Sequence, residues 1–512
     1  MKKKLFMTVW DMAVEKGGIN KVMLRRSSLF SNEQFESELL TFDYKPNYGE
    51  IEKELRQTGQ LAANCKITNV YDYYRDKLSQ SEMTSQQKAY YEKASKLYEN
   101  DDYWVEAEDN YARYFLNGMY IKYKKWNDDR VIEFIDYFTD NRIRIRREEF
   151  HKDGYINRET FYHSSNNKKN QERYYTKDGF CYLNIWYNHI KGNQQRLFLF
   201  SPHYQKAQSF ANRIEFHTAW LNEICNLEPV KPIVICDGAG TASRVIGMDD
   251  SLVEKVYMMH SNHFEAPYTL GSKYKENLNE IIEVIPKGYT TVVLTKAQQL
   301  DLHKEIGNRG NIHVIPNFVE VNDKEVEKDP LLVTMIARYS PEKRIDEAIH
   351  SFAKVVQNVP KAKLEVYGAG AEKEKLEELI KELKLTNNVF LKGYTNHVQD
   401  IVTKASVSLI TSSDEGMSIA LIESLASRTP VISYDINYGP SEIIENGVNG
   451  YVVPNGDKEQ LAEKIIHLLN HPEEVATLGA AGQKLVATEY TPEGYYEKWH
   501  DLLHNLPELE VY

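Results

Sequence analysis

Residues 331–384 read LLVTMIARYSPEKRIDEAIHSFAKVVQNVPKAKLEVYGAGAEKEKLEELIKELK. LLVTMIARY is an apolar run of strand length. KRIDEAIHSFAKVVQNV carries apolar residues at helical spacing. KLEVYG is a second strand and AEKEKLEELIKELK a second helix. NVFLKGY, VSLITSS, ALIESLAS, PVISYD and LAEKIIHLLN continue the alternation to residue 470. This order predicts an α/β domain with a doubly wound parallel sheet and crossover helices. Such sheets take ligands at the carboxyl ends of their strands.

The same character appears at the other end of the chain. KKLFMTVW (3–10) reads as a buried strand, Gly17 and Gly18 as a turn, and INKVMLRRSSLF as a helix. Residues 205–320 resume it with IVICDG (233–238), YMMH (257–260) and TVVLT (291–295). A first domain is therefore expected from 1–70 and 205–320, and a second from 331–490. The polar segment VNDKEVEKDP (321–330) links them, and 491–512 is expected to form a terminal helix crossing back to the first domain. Two such domains face each other across a cleft.

Residues 71–204 differ. They hold 19 of the 35 tyrosines and only four glycines. RIRIRREEF, INRETFYH, QERYYT and CYLNIWYN alternate with period two, separated by HKDGY, SSNNKKN and KDGF. Asp153-Gly154 and Asp178-Gly179 fit tight hairpins. The stretch reads as a β-rich antiparallel insertion, with a helix around SQQKAYYEKASKLYEN.

Composition limits the function. At 512 residues about three domains are expected. No run approaches about 18 apolar residues, so no transmembrane helix is expected. The N-terminus reads as a strand and not as a signal peptide, since Asp11 and Glu15 interrupt its apolar stretch. The four cysteines form no C-x-x-C pair, which suits a reducing compartment and no zinc knuckle. A net charge of −12 without a basic tail disfavours nucleic-acid binding.

Four features carry chemistry. SSDEGMSIALIESLASRTPVI (412–432) places Glu415 in a loop and Glu423 on the helix that begins near Ser418. Backbone amides at that helix start favour phosphate, and a carboxylate a turn further on suits a ribose diol. Alone, the segment reads equally well as a helix start with solvated acids. In MIARYSPEKR (335–344), Arg338 and Lys343 follow a strand end, where two cations suit a diphosphate leaving group. Gly368-x-Gly370 reads as a close-approach turn facing the same cleft. His260 and His263 sit at a strand end without an H-E-x-x-H pattern, so no metal site is expected.

Together these features resemble the retaining nucleotide-sugar glycosyltransferases of family 4, with the GT-B architecture of two Rossmann-like domains. The carriers are E-G-x-S-(x)4-E at 415–423, Arg338 with Lys343, the Gly17-Gly18 loop, His260, and PVISYD…GPSEIIENGVNGY at 430–451. TFDYKPNY (41–48), ICDGAG (235–240), HSNH (260–263), VLTKAQQLDL (293–302), IPNF (315–318) and FLKGYT (390–395) narrow the resemblance. They are similar to the bacterial wall teichoic acid α-glycosyltransferases, which act with glucose or N-acetylglucosamine on glycerol- or ribitol-phosphate polymers and carry a β-rich insertion.

The resemblance implies roles. Arg338 and Lys343 match the pair that stabilises departing UDP. Glu415 matches the acid near the donor sugar, Glu423 the acid on the ribose hydroxyls, and His260 the histidine near the anomeric carbon and C6. Gly17 and Gly18 match a loop beside the diphosphate. Ser418, Ile419 and Ala420 would give amides to the phosphates, and Asn317, Gly393 and Tyr394 fall among donor-contacting positions. One departure touches the sugar: the family has E-G-x-G where Ser418 stands here. UDP-sugar is then a co-substrate, with no metal or other cofactor expected and no D-x-D at a strand end. The implied acceptor is an anionic polyol-phosphate polymer. Arg142, Arg144 and Arg146 of RIRIRR share one face if that segment is a strand, and with Lys168 and Lys169 they are candidates to guide it. The resemblance further implies a homotrimer built through the insertion, working in the cytoplasm at the inner membrane face. Other classes remain: an O-glycosyltransferase of serine-rich adhesins, a non-catalytic GT-B scaffold subunit, and a sucrose- or glycogen-synthase-like enzyme. The four intact site residues disfavour the scaffold, and the insertion disfavours the last.

Overall fold

The computed structural model describes residues 2–14, 17–99, 102–324 and 326–507. Glu15 and Lys16 beside the glycine turn, and 508–512 of the expected terminal segment, lie outside them.

From Leu5 onward Lys3–Val9 is buried, and apolar but for Thr8, because both its faces are covered. Leu5, Met7 and Val9 join a core with Met23, Leu24 and Trp499, whereas Phe6 faces a second core with Phe216 and Trp220. It pairs in parallel with Phe35–Thr41 on one side and Ile233–Cys236 on the other. The sheet has seven strands in the order Ile312–Val314, Thr290–Val293, Glu254–Met258, Ile233–Cys236, Lys3–Val9, Phe35–Thr41, Lys66–Asn69. The winding direction reverses between Lys3–Val9 and Ile233–Cys236. A crevice therefore opens where Trp10 and Asp237 follow those strands.

The second parallel sheet has six strands, ordered Val389–Gly393, Lys363–Tyr367, Asp329–Ile336, Ala405–Ile410, Val431–Tyr434, Gly450–Val453. Its reversal lies between Asp329–Ile336 and Ala405–Ile410. These are the strands that lead into the Arg338–Lys343 loop and the Glu415 loop.

Between the halves of the first domain runs a ten-stranded antiparallel meander from Trp104–Ala107 to Tyr204–Phe210. Its last strand continues past residue 204, because a two-residue turn at Pro202 and His203 pairs Ser201 with Tyr204. Helix Val70–Leu78 lies before the meander and packs its Tyr71 and Tyr74 into the first domain's core beside Phe216. Helix Ser85–Ser95, opened by a Thr84/Gln87 capping box, covers part of the sheet through Ala94 against Tyr114, Trp126 and Phe150. The later strands pack Tyr174, Tyr182, Leu183 and Ile185 onto the first domain. Many tyrosines serve here because a ring can be buried while its hydroxyl reaches a carboxylate. Tyr90 and Tyr137 both reach Glu148, and Tyr174 and Tyr187 both reach Glu172.

Glu172 is fully buried at the seam between insertion and first domain, paired with Lys169 and with Arg213 of helix Arg213–Asn226. Burial opposes its ionisation, but Arg158, Arg213 and Lys169 outweigh that and hold its carboxyl down at about 2. A depressed acid stabilises the fold fully above its ordinary value near 4.5, and that stability is lost as pH falls through about 2. Glu172→Gln leaves Lys169, Arg213 and Arg158 without the carboxylate they share, and since the first two are partly exposed and Arg158 keeps Glu149, the cost is about 1–3 kcal/mol. Its melting temperature is expected to fall well below wild type at pH 7, the gap narrowing towards pH 2. Melting curves at several pH values check this, and a gap independent of pH would refute it.

Helix Pro492–His504 follows the second domain but packs on the first. Trp499 is fully buried with its ring under the Arg26 guanidinium, and Tyr496 meets Phe30. Among the described residues no helix is long and apolar enough to cross a membrane.

Candidate active site

Strand Asp329–Ile336 delivers the loop that carries both cations. Tyr339, buried, fixes it by donating its hydroxyl to Val366 O at 2.9 Å, while its backbone N–H reaches Ala369 O at 3.0 Å. The Gly368-x-Gly370 turn lies against this loop. A Cβ on Gly368 would meet Ala337 O at 1.9 Å, and one on Gly370 would meet Tyr339 O at 2.3 Å. The close approach expected of these glycines is thus to the chain's own backbone, and it sets the position of Arg338.

Lys343 ends a short turn, Pro341–Lys343, and its ammonium lies 2.6 Å from Glu415 Oε1. Ser412 Oγ donates to the same oxygen at 2.7 Å. The Glu415 backbone is held by Asn437 O at 3.2 Å, and its carbonyl accepts from Tyr438 N at 2.9 Å. Arg338 differs from Lys343. Its side chain is 76% exposed and touches Glu342 Oε1 at 3.2 Å, so it is free to swing into the cleft. Arg344, which sequence reasoning passed over, adopts a left-handed conformation and ties the Thr411 and Ser412 carbonyls to this loop.

Helix Ile419–Ala426 begins at Ser418 with no side-chain cap, so its first amides face the loop unpaired by a cap. Ser418 is buried, Ile419 and Ala420 half-buried. Glu423 is 3% exposed and binds Lys21 and Arg25, both on the first domain's helix Ile19–Leu29. Both cations use Oε1. Gly18 precedes that helix at φ 62, ψ −128, a conformation that glycine adopts readily, and among the described residues no atom lies within 4 Å of a Cβ position on Gly17 or Gly18. Asn317 is buried with Oδ1 unpaired, Gly393 has φ 82, and Tyr394 is 38% exposed.

His260 faces this constellation from the first domain. Its Nε2 lies 3.1 Å from Asp237 Oδ1, and the other Asp237 oxygen pairs with Arg26. Asp237 and Arg26 are wholly buried. Burial opposes ionisation of Asp237, but Arg26 and His260 outweigh it and hold its carboxyl below the ordinary range. Asp237 orients the imidazole, and Arg26 fixes Asp237. The ICDG motif contained the signal for this role in an acid directly after a buried strand. His263 is instead a packing residue. It is buried, stacks on Tyr438, and is held neutral near 4 by burial.

The two domains touch at these residues. A Cβ on Gly416 would meet His260 O at 2.4 Å. Lys275 pairs with Asp414, and Asn262 Nδ2 reaches Asn437 O at 3.1 Å. His260, Lys343, Glu415 and the Ser418 helix start therefore share one cleft, with Arg338 at its rim. The arginines of the insertion lie elsewhere. The strand there is Arg144–Phe150, so Arg142 does not share its face but sits in the preceding turn at φ 61. Arg144 pairs with Asp136, and Arg146 with Glu148 and Glu159, while Ile145 is exposed. Among the described residues no group of three or more His, Cys, Asp or Glu is placed to hold a metal ion.

Residues 318–485 match the family model described as Glycosyl transferases group 1. The chain is 31% identical over 510 residues to poly(ribitol-phosphate) alpha-N-acetylglucosaminyltransferase of Staphylococcus aureus, covering 98% of this chain and 100% of that one. It is 25% identical to poly(glycerol-phosphate) alpha-glucosyltransferase of Bacillus subtilis, covering 97% of this chain and 74% of the relative. The crystal structure of a mutant of S. aureus TarM in complex with fondaparinux, alpha-GlcNAc-glycerol and UDP superposes with a TM-score of 0.88 at 29% identity, covering 98% of this chain and 100% of that one. Two Rossmann-like sheets with this cleft make the chain a GT-B glycosyltransferase acting with a UDP-sugar. Within that class it belongs to the wall teichoic acid α-glycosyltransferases, as its motifs had implied.

Proposed function

We propose that this enzyme transfers an α-linked hexose, glucose or N-acetylglucosamine, from its UDP-sugar to hydroxyls of a polyol-phosphate polymer with retention of configuration. The observation that carries this reading is the convergence of Lys343, Glu415 and the open helix start of one domain upon His260 of the other. Cleavage of the bond from C1 to UDP places charge on the diphosphate. Lys343, Arg338 and the amides of Ser418, Ile419 and Ala420 would stabilise it without a metal. Glu423 Oε2 makes no hydrogen bond among the described residues and would take a ribose hydroxyl. Gly17 and Gly18 would pass beside the diphosphate, with Asn317, Gly393 and Tyr394 lining the donor site. His260, oriented by Asp237, would face the transferred sugar.

The acceptor class is supported by two relatives, which this chain covers to 100% and 74% of their length. On the insertion, Arg142 and Arg144 line a depression of about 500 Å³ with Ser165 and Asn166, and this is proposed as a guide for the polymer. Arg146, tied to two carboxylates, would contribute less. Assembly as a homotrimer, and work at the inner membrane face, rest on the family resemblance. Light scattering on the purified protein tests the first.

UDP release tests the whole reading. Each sugar nucleotide is offered with poly(glycerol-phosphate), poly(ribitol-phosphate) or a serine-rich peptide. Release with one sugar and one polyol polymer is expected, unchanged by EDTA. Release with the peptide alone would move the enzyme to the adhesin-modifying group.

A further inference from the structure

Arg244 is a buried cation with no carboxylate in direct contact among the described residues, the charge of Glu280 acting on it only from a distance. It lies in the short helix Ala242–Ile246, which follows the 237–241 loop at the carboxyl end of Ile233–Cys236, and it is 8% exposed. Its Nε donates to His217 Nδ1 at 2.9 Å, and Nη1 to Gly240 O at 3.0 Å. Nη2 has no hydrogen-bond partner among the described residues and is not sealed from solvent. His217 supplies no counter-charge, since burial and the neighbouring Arg244 hold it neutral, well below its ordinary value. Among the described residues Arg244 forms no ion pair. Its charge rests on two rings, 4.9 Å from the centre of Trp10 and 5.5 Å from that of Phe42.

Taking a cation out of water is costly unless an anion meets it, and ring contacts offset only part of that cost. The position shows where an anion would come from. Trp10 and Asp237 follow the two strands at which the winding reverses, so Arg244 stands in the crevice that such sheets use for ligands. Asp237, in the loop that leads into the Arg244 helix, also holds His260, which ties this crevice to the proposed reacting centre. Trp10, under the Arg244 guanidinium, is 40% exposed.

We propose that Arg244 and Trp10 form a subsite for one phosphodiester of the acceptor, a unit or so from the hydroxyl that is glycosylated. The guanidinium would take the phosphate oxygens through Nη2, and the indole would cover the polyol carbons. A single permanent cation matches a group with a single negative charge. The proposal rests on the polyol-phosphate reading above and concerns a different set of cations from Arg338 and Lys343.

The test separates the two. With UDP saturating the donor site, glycerophosphoglycerol, a phosphodiester with one negative charge, is titrated calorimetrically into wild type, Arg244→Gln and Arg244→Lys. Arg244→Gln is expected to bind at least about tenfold more weakly, and Arg244→Lys to keep most of the affinity. In transfer assays Arg244→Gln should raise the KM for the phosphate polymer more than it lowers kcat, with a shallower dependence on salt. The loss with neutral glycerol as acceptor should be smaller. Equal binding by wild type and Arg244→Gln, no binding by wild type, or equal losses on charged and neutral acceptors would each overturn the subsite. Binding through Arg244 without transfer to either polymer would uphold the anion site and sink the acceptor reading.

Discussion

Lys343→Ala is expected to lower kcat by about 10²–10³-fold, the usual effect of removing one preorganised donor from a developing anion. The argument is positional. Lys343 is largely buried, and its ammonium is fixed between Glu415 and the end of the second sheet. A group held in this way needs no reorganisation when charge arrives. Arg338, with a mostly exposed side chain, must first be ordered, so Arg338→Ala should cost less. The distinction can be measured. A contact made only as the bond breaks lowers kcat and kcat/KM together, whereas a contact with the bound donor raises KM. Steady-state UDP release against UDP-sugar concentration reads both. A raised KM with unchanged kcat would show that Lys343 only binds the donor.

Gly416→Ala should be nearly as damaging, with at least about a 100-fold loss of kcat in a protein that still folds. The added methyl would lie 2.4 Å from His260 O, 2.6 Å from its carbonyl carbon and 2.8 Å from Ser261 N. All three are backbone atoms, so no rotamer change relieves the clash. The Glu415 loop and the His260 loop must move apart, and these two loops hold the proposed reacting groups. Since the residues concerned lie at the domain contact and not in a core, the melting temperature should change little. Wild-type turnover in a folded Gly416→Ala protein would show that the loops need not touch during catalysis.

The parallel sheets were legible because their strands are buried on both faces, which makes LLVTMI and LFMTV stand out as runs that are apolar but for one threonine each. The meander was legible from its alternation and turns, although its final strand lay beyond the tyrosine-rich window. Lys343, Glu415 and Ser418 could be placed because each sits at a strand end or helix start. Partnerships across the domain gap were not legible. Nothing local to Glu423 tells that Lys21 and Arg25, some 400 positions earlier, reach it. The same holds for Gly416 with His260, and within the first domain for Asp237 with Arg26, 211 positions apart. The arginines of RIRIRR show the opposite limit. A residue type visible in sequence lost much of its free charge to Asp136, Glu148 and Glu159 on neighbouring strands.

The terminal helix docked on the first domain has a mechanical consequence. The chain crosses between domains twice, once before Asp329 and again before Pro492. A single tether would act as a ball joint, allowing the domains to twist and slide freely. Two tethers define a line, and the easy movement is a swing about it, like a door on two pins. Opening the cleft to admit a sugar nucleotide would then carry the Glu415 loop away from His260 and return it along the same arc, so each closure re-forms the same alignment.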